Sequence, residues 1–165
     1  MRPEPDLDQD CDMSVDPDLA EAITAMHSDL AEWIGSVAPP KVFDRFAHVL
    51  HEGFSAVTTV GQVVDRDTLL AGVWSARNLQ PGLEIDITDI AGLVHGGGLS
   101  VVRFTAANRL GDVSSARRLA TAVLVPGDFG YQLRTLHETN TPTTEIENPS
   151  VERIANSSRR EESTG

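Results

Sequence analysis

Residues 83–140 read LEIDITDIAGLVHGGGLSVVRFTAANRLGDVSSARRLATAVLVPGDFGYQLRTLHETN. At its start Leu83, Ile85 and Ile87 alternate with Glu84, Asp86 and Thr88. A period of two sends alternate side chains to opposite faces of an extended chain, so this stretch reads as a half-buried strand. His95-Gly96-Gly97-Gly98 supplies a turn, and Leu99 to Asn108 reads as a second long strand. Gly111-Asp112 turns again, Ser114 to Val125 reads as a third strand, Pro126-Gly127-Asp128 turns once more, and Tyr131 to Asn140 reads as a fourth. Long strands joined by short turns predict an antiparallel meander, one face of which needs a cover.

The cover is predicted upstream. Asp16 can cap a helix and Pro17 suits its first position. Leu19, Ile23, Met26, Leu30, Trp33, Ile34 and Val37 recur at spacings of three and four, which makes one apolar stripe, and Pro39-Pro40 ends it. A second helix reads from about Pro40 to His51, with Val42, Phe43, Phe46, Val49 and Leu50 on one face. Phe54 to Val60 reads as a strand that Gly61 turns toward Gln62-Val63-Val64. Asp65 then caps a third helix carrying Leu69, Leu70, Val73 and Trp74, which frays near Asn78 and Pro81-Gly82. The expected class is α+β: about three N-terminal helices on one curved antiparallel sheet. Residues 1–16 read as a disordered acidic arm, 17–141 as the domain and 142–165 as a disordered polar tail.

Charge narrows the functions open to such a chain. The formal net charge of −12 is uneven: residues 1–18 carry −6, residues 142–165 carry −2, and the middle carries only −4. Lys41 is the sole lysine, and the only adjacent basic pairs are Arg117-Arg118 and Arg159-Arg160. A phosphate backbone needs clustered cations, so no nucleic-acid partner is expected. No apolar run approaches the roughly 20 residues that span a bilayer, so no membrane association is expected. The first residues are acidic where a secretory leader is basic and then apolar. The single cysteine, Cys11, has no partner for an internal disulfide. These features together predict a cytoplasmic protein.

The order of elements resembles the nuclear transport factor 2-like superfamily, the cystatin-like, cone-shaped fold of ketosteroid isomerase and the SnoaL-like cyclases. Two stretches carry the likeness in the first half: Leu50-His51-Glu52-Gly53-Phe54-Ser55-Ala56-Val57 and Gly61-Gln62-Val63-Val64-Asp65-Arg66-Asp67-Thr68-Leu69-Leu70. In the second half, Arg117-Arg118-Leu119-Ala120-Thr121-Ala122-Val123-Leu124 and Leu136-His137-Glu138-Thr139 are similar to the last two strands of a poorly characterised bacterial branch. The chain differs from that branch at Asn140, where tryptophan is usual, and at Ala106 and Ala107, where acids are frequent. The resemblance implies a pocket between the concave sheet face and the helices. It also implies a largely apolar or aromatic small-molecule ligand, and a homodimer formed through the outer sheet face.

Met26, Trp33, Phe54, Trp74 and Phe104 are the large apolar residues that could line such a pocket, or simply form the core. Trp33 and Trp74 are both expected to be buried. Arg103 interrupts the apolar run Val101-Val102-Arg103-Phe104. An unpaired buried charge costs several kcal/mol, so it needs a carboxylate, a ligand or solvent. Arg103 and His137 are expected together on the concave face, reaching a ligand, and the alternative for Arg103 is the convex face, paired with Asp86 or Glu84. His137 and Glu138 are adjacent on a strand and face opposite sides. With no bulge, His137 shares a face with Leu133, and a neutral imidazole there could move protons near pH 7. Arg118 is the expected partner of Glu138, and His27 is expected in solvent.

No complete catalytic pattern of the superfamily is present. Tyr131, the only tyrosine, starts its strand beside Gly130, and Arg103-Phe104-Thr105 lacks the acid of an Arg-x-Asp pair. His48-x-x-His51 has no third ligand, so no metal is expected, and Gly96-Gly97-Gly98 joins strands and so is no phosphate loop. No cofactor is expected. The leading expectation is a small-molecule-binding protein with an apolar pocket. The alternative is a cofactor-independent isomerase, cyclase or dehydratase using His137 as acid–base and Arg103 as oxyanion stabiliser. A third reading, an interaction module recruiting a partner through the acidic arm, predicts a filled cone without a cavity.

Overall fold

The computed structural model describes residues 15–142. Apart from Val15, Asp16 and Pro142, the arm expected over 1–16 and the tail expected over 142–165 lie outside the described residues. The elements run α1 (Pro17–Gly35), α2 (Pro40–Val49), β1 (Leu50–Val57), β2 (Val63–Asp65), α3 (Arg66–Ser75), β3 (Leu83–Gly96), β4 (Leu99–Leu110), β5 (Val113–Ser114), β6 (Arg118–Gly127) and β7 (Gly130–Asn140).

Both capped helices begin where their sequence signals lie. Asp16 accepts a hydrogen bond from the Asp18 amide at 2.9 Å, and Asp65 accepts one from the Thr68 amide at 2.8 Å. The carbonyls at the end of α1 have no partner within the helix, and the loop before β3 supplies donors. Asn78, Gln80 and Gly82 donate their amides to Trp33, Ile34 and Gly35 at 3.0, 3.1 and 2.8 Å. The approach is close enough that a Cβ on Gly35 would lie 2.9 Å from the Leu83 nitrogen. The helix therefore stops before Val37, which is exposed and takes no part in the stripe.

The strands lie in the order β2-β1-β7-β6-β4-β3, with β5 paired to β4. The meander β3–β4–β6–β7 is antiparallel throughout, as its turns imply. The expectation of a wholly antiparallel sheet is corrected at one seam: β1 runs parallel to β7. A parallel pair needs a long connection, and here nearly the whole domain is that connection. The first long strand thereby docks beside the last, and the helices on either side of it close over one face. Among the described residues, no helix is long and apolar enough to cross a membrane.

The inner sheet face alternates cleanly. Val102, Phe104 and Ala106 of β4 and Ala120, Ala122 and Leu124 of β6 are buried, and they meet Leu19, Ile23, Met26 and Trp33 of α1 and Phe46 of α2 in one core. The same parity turns Val101, Arg103 and Thr105 outward. In β7 the alternation breaks. Leu124 pairs with Leu133 but Val123 pairs with Thr135, so Arg134 is an extra residue and the strand bulges there. Leu133 faces in, and after the bulge Leu136 and Glu138 face in while His137 faces out.

Candidate functional site

The bulge decides which side chains meet. His137 pairs with Thr121, and Thr121 pairs with Arg103. The three form one row across the outer face, and each is exposed. Arg103 and His137 do share a face, but it is the convex one. The concave placement expected for both is corrected, and with it the catalytic pair built on them. Arg103 does not take Asp86 or Glu84 as partner either, because the register sets it opposite Ala91. Arg109 holds those acids, with Nη2 at 2.5 Å from Glu84 and Nε at 3.1 Å from Asp86.

Beneath the inner face lies a cavity of about 210 Å³. Met26, Leu30, Phe46, Leu50, Phe54 and Leu136 give it apolar walls. Polar groups reach it from His27 on α1, Arg118 on β6, Glu138 on β7 and Thr58 in the loop after β1. Of the five apolar residues expected as lining, Met26 and Phe54 reach the cavity, while Trp33, Trp74 and Phe104 do not. Trp33 and Phe104 are packed core. Trp74 is 53% exposed, which corrects its expected burial. α3 has only Val73 buried, and Trp74, one position on, lies over the rims of Trp33 and Phe43 with centroids 5.3 and 4.9 Å away. A more open crevice of about 960 Å³ runs between Asp29, Asp44, Arg45 and His48 on one side and the turn from Pro126 to Gln132 on the other. It lacks the apolar enclosure.

His27 is misplaced by the sequence reading in the opposite sense. It is only 5% exposed, although solvent was expected around it. The signal was there: His27 follows Ile23 by four and Leu19 by eight, so it lies on the buried stripe. Its Nδ1 donates to the Ile23 carbonyl at 2.8 Å, and its ring meets Phe104 edge to face at 5.3 Å. Burial lowers the pKa of the imidazole, outweighing the Ile23 hydrogen bond and the Glu138 charge, which raise it. A neutral ring that donates from Nδ1 leaves Nε2 a bare acceptor. No hydrogen bond to Nε2 occurs among the described residues.

Arg118 and Glu138 sit diagonally across β6 and β7 on the inner face, where Ala120 pairs with Glu138. Their ion pair, Nε to Oε1, spans 3.4 Å with side chains 19% and 22% exposed. This is the pairing expected from the sequence. Arg118 Nη2 also donates to the Asn108 side chain at 3.1 Å. The geometry thus brings an acceptor nitrogen, a guanidinium and a carboxylate to one apolar cavity. Among the described residues no group of three or more His, Cys, Asp or Glu could hold a metal ion.

No protein-family model matches the chain, and no curated protein matches it. Solved structures do. A nuclear transport factor 2-like protein of unknown function from Pseudomonas aeruginosa, PA1314, superposes with a TM-score of 0.70 at 25% identity, covering 76% of this chain and 99% of its own. A proposed dehydratase of the same family from Streptomyces avermitilis gives 0.60 at 15% identity, over 76% of this chain and 95% of its own. Aln2 from a Streptomyces species gives 0.60 at 14% identity, over 85% of this chain and 98% of its own. The chain has the nuclear transport factor 2-like fold, a cone of helices on a curved sheet, as the sequence resemblance implied.

Proposed function

We propose that this cytoplasmic nuclear transport factor 2-like protein binds a small, largely apolar or aromatic molecule in the cavity between α1, β1 and β7. The observation that carries the reading is the cavity itself, apolar on most sides and polar at His27, Arg118 and Glu138. A cone filled by its own side chains would have favoured the interaction module instead. Size limits the ligand. Pockets for drug-sized molecules occupy roughly 300–1,000 Å³, so about 210 Å³ suits one ring or two small ones. The outer face, with Leu99 and Val101 on β4 and Leu119 and Val123 on the adjacent β6, is the surface on which a second copy would pack. Sedimentation velocity at micromolar concentration should give twice the chain mass, and a monomer at all concentrations would discard the dimer.

A second reading is favoured by one observation, the burial of His27 against the cavity, which lowers its imidazole pKa. A cofactor-independent isomerase, cyclase or dehydratase needs a base within reach of an enclosed substrate. Here that base would be His27, in place of the solvent-facing His137.

Thermal denaturation against a panel of one- and two-ring aromatic ketones tests both. A ligand at a hundredfold excess over its Kd stabilises by about 2.7 kcal/mol, a rise of several degrees for a domain this size. Leu136→Trp places an indole in the cavity and should abolish the rise. Chromatography of each incubated ketone reveals any turnover. An equal rise in Leu136→Trp, or none with any compound, would sink the binding reading.

A further inference from the structure

The polar end of the cavity has a defined donor and acceptor pattern, and that pattern selects a ligand class. His27 is locked by its own helix: Nδ1 donates to the Ile23 carbonyl at 2.8 Å, so the ring nitrogen left for a ligand is Nε2. A neutral imidazole in that tautomer only accepts there. Glu138 is engaged by Arg118 through Oε1 alone, at 3.4 Å. Arg118 uses Nε toward Glu138 and Nη2 toward Asn108, while its Nη1 has no partner among the described residues. A guanidinium only donates. Beside the second Glu138 oxygen and the Thr58 hydroxyl, the cavity therefore presents a neutral acceptor on α1, Nε2, and a cationic donor on β6, in otherwise apolar walls formed by Met26, Leu30, Phe54 and Leu136.

A hydrocarbon would leave both groups without partners, which is costly where water is excluded. A plain ketone would satisfy Arg118 and leave Nε2 bare. A carboxylic acid would arrive ionised beside Glu138. We infer that the ligand is a small hydroxylated aromatic or enolic carbonyl compound, whose hydroxyl donates to His27 Nε2 and whose carbonyl oxygen accepts from Arg118. This inference rests on the binding reading above and narrows it to a chemical class.

The class can be tested with three probes of nearly equal size: acetophenone, meta- or para-hydroxyacetophenone, and the corresponding methoxyacetophenone. Titration calorimetry at pH 7.5 on the full chain gives each Kd. The hydroxy compound should bind roughly tenfold more tightly than acetophenone, the worth of one well-made hydrogen bond. The methoxy compound, which cannot donate, should bind no more tightly than acetophenone. His27→Phe keeps a ring against Phe104 and removes Nε2, so it should reduce the hydroxy preference to near unity while acetophenone still binds. The comparison among probes on the unaltered chain needs no variant and stands if His27→Phe does not fold. Acetophenone and its hydroxy derivative binding equally would overturn the inference and leave the pocket reading intact. So would a hydroxy preference that survives His27→Phe unchanged. Binding of none of the three would overturn both.

Discussion

Trp33→Ala should lower the unfolding free energy by about 3–5 kcal/mol, the usual cost of removing a large aromatic side chain from a packed core. Trp33 is 1% exposed, and its loss removes more than area. Its Nε1 donates to the Val73 carbonyl at 2.7 Å, tying α1 to α3. Its ring lies 5.3 Å from both Phe43 and Trp74. The Arg77 guanidinium sits over it at 5.3 Å, while Nε of the same arginine donates to the Ala38 carbonyl at 2.9 Å. One side chain therefore joins α1, α3 and the chain segments that follow each. Trp74→Ala is the matched control. With half its surface already in water, it should cost about 1 kcal/mol, from its aromatic contacts alone. Urea unfolding followed by circular dichroism at pH 7 separates them. A cost below about 1 kcal/mol for Trp33, or equal costs for the two, would show that the aromatic group is not organised around Trp33.

The meander was legible because local rules suffice for it. Alternation from Leu83 to Thr88, turn residues at Gly97, Gly111 and Gly127, and strand lengths all lie within a few residues of one another in sequence. The caps at Asp16 and Asp65 were legible for the same reason. The β1–β7 pairing was not, since nothing near Ser55 signals that Thr135, 80 positions on, will lie beside it. Nor was the face of His137. Apolar residues occur at both parities of β7, at Leu133 and at Leu136, so the pattern allows either face until a bulge is located. Arg134 leaves no sequence mark of being the extra residue. Its place comes from tertiary contacts, with Nη1 donating to the Gly53 carbonyl across the parallel seam. One unpaired residue thus moved His137 to solvent and Glu138 to the cavity. His27 failed differently. Its position on the stripe was readable, and its polarity outweighed that position, although a buried imidazole needs only partners, and its own helix supplies one.

Arg118→Met should cost about 1–3 kcal/mol, because it leaves the Glu138 carboxylate facing an apolar cavity with no cation. The lower half of that range is expected, since both side chains keep about a fifth of their surface in water and solvent screens the pair. Asn108 also loses its partner. Glu138→Leu strands the guanidinium in the same way and should cost a similar amount. The double variant Arg118→Met/Glu138→Leu leaves neither charge and adds apolar volume beside Leu136. It should recover much of the loss, as replacing both members of a buried ion pair generally does. The two single costs should therefore exceed the double cost by at least about 1 kcal/mol in urea unfolding at pH 7, far more than distant sites show. Ligand binding supplies a second readout that stability cannot mimic. The double variant should remain folded yet hold ketones more weakly, because its carbonyl donor is gone. Strict additivity of the two substitutions would mean that the 3.4 Å contact is not an interaction in solution, and that the guanidinium is free to leave the cavity.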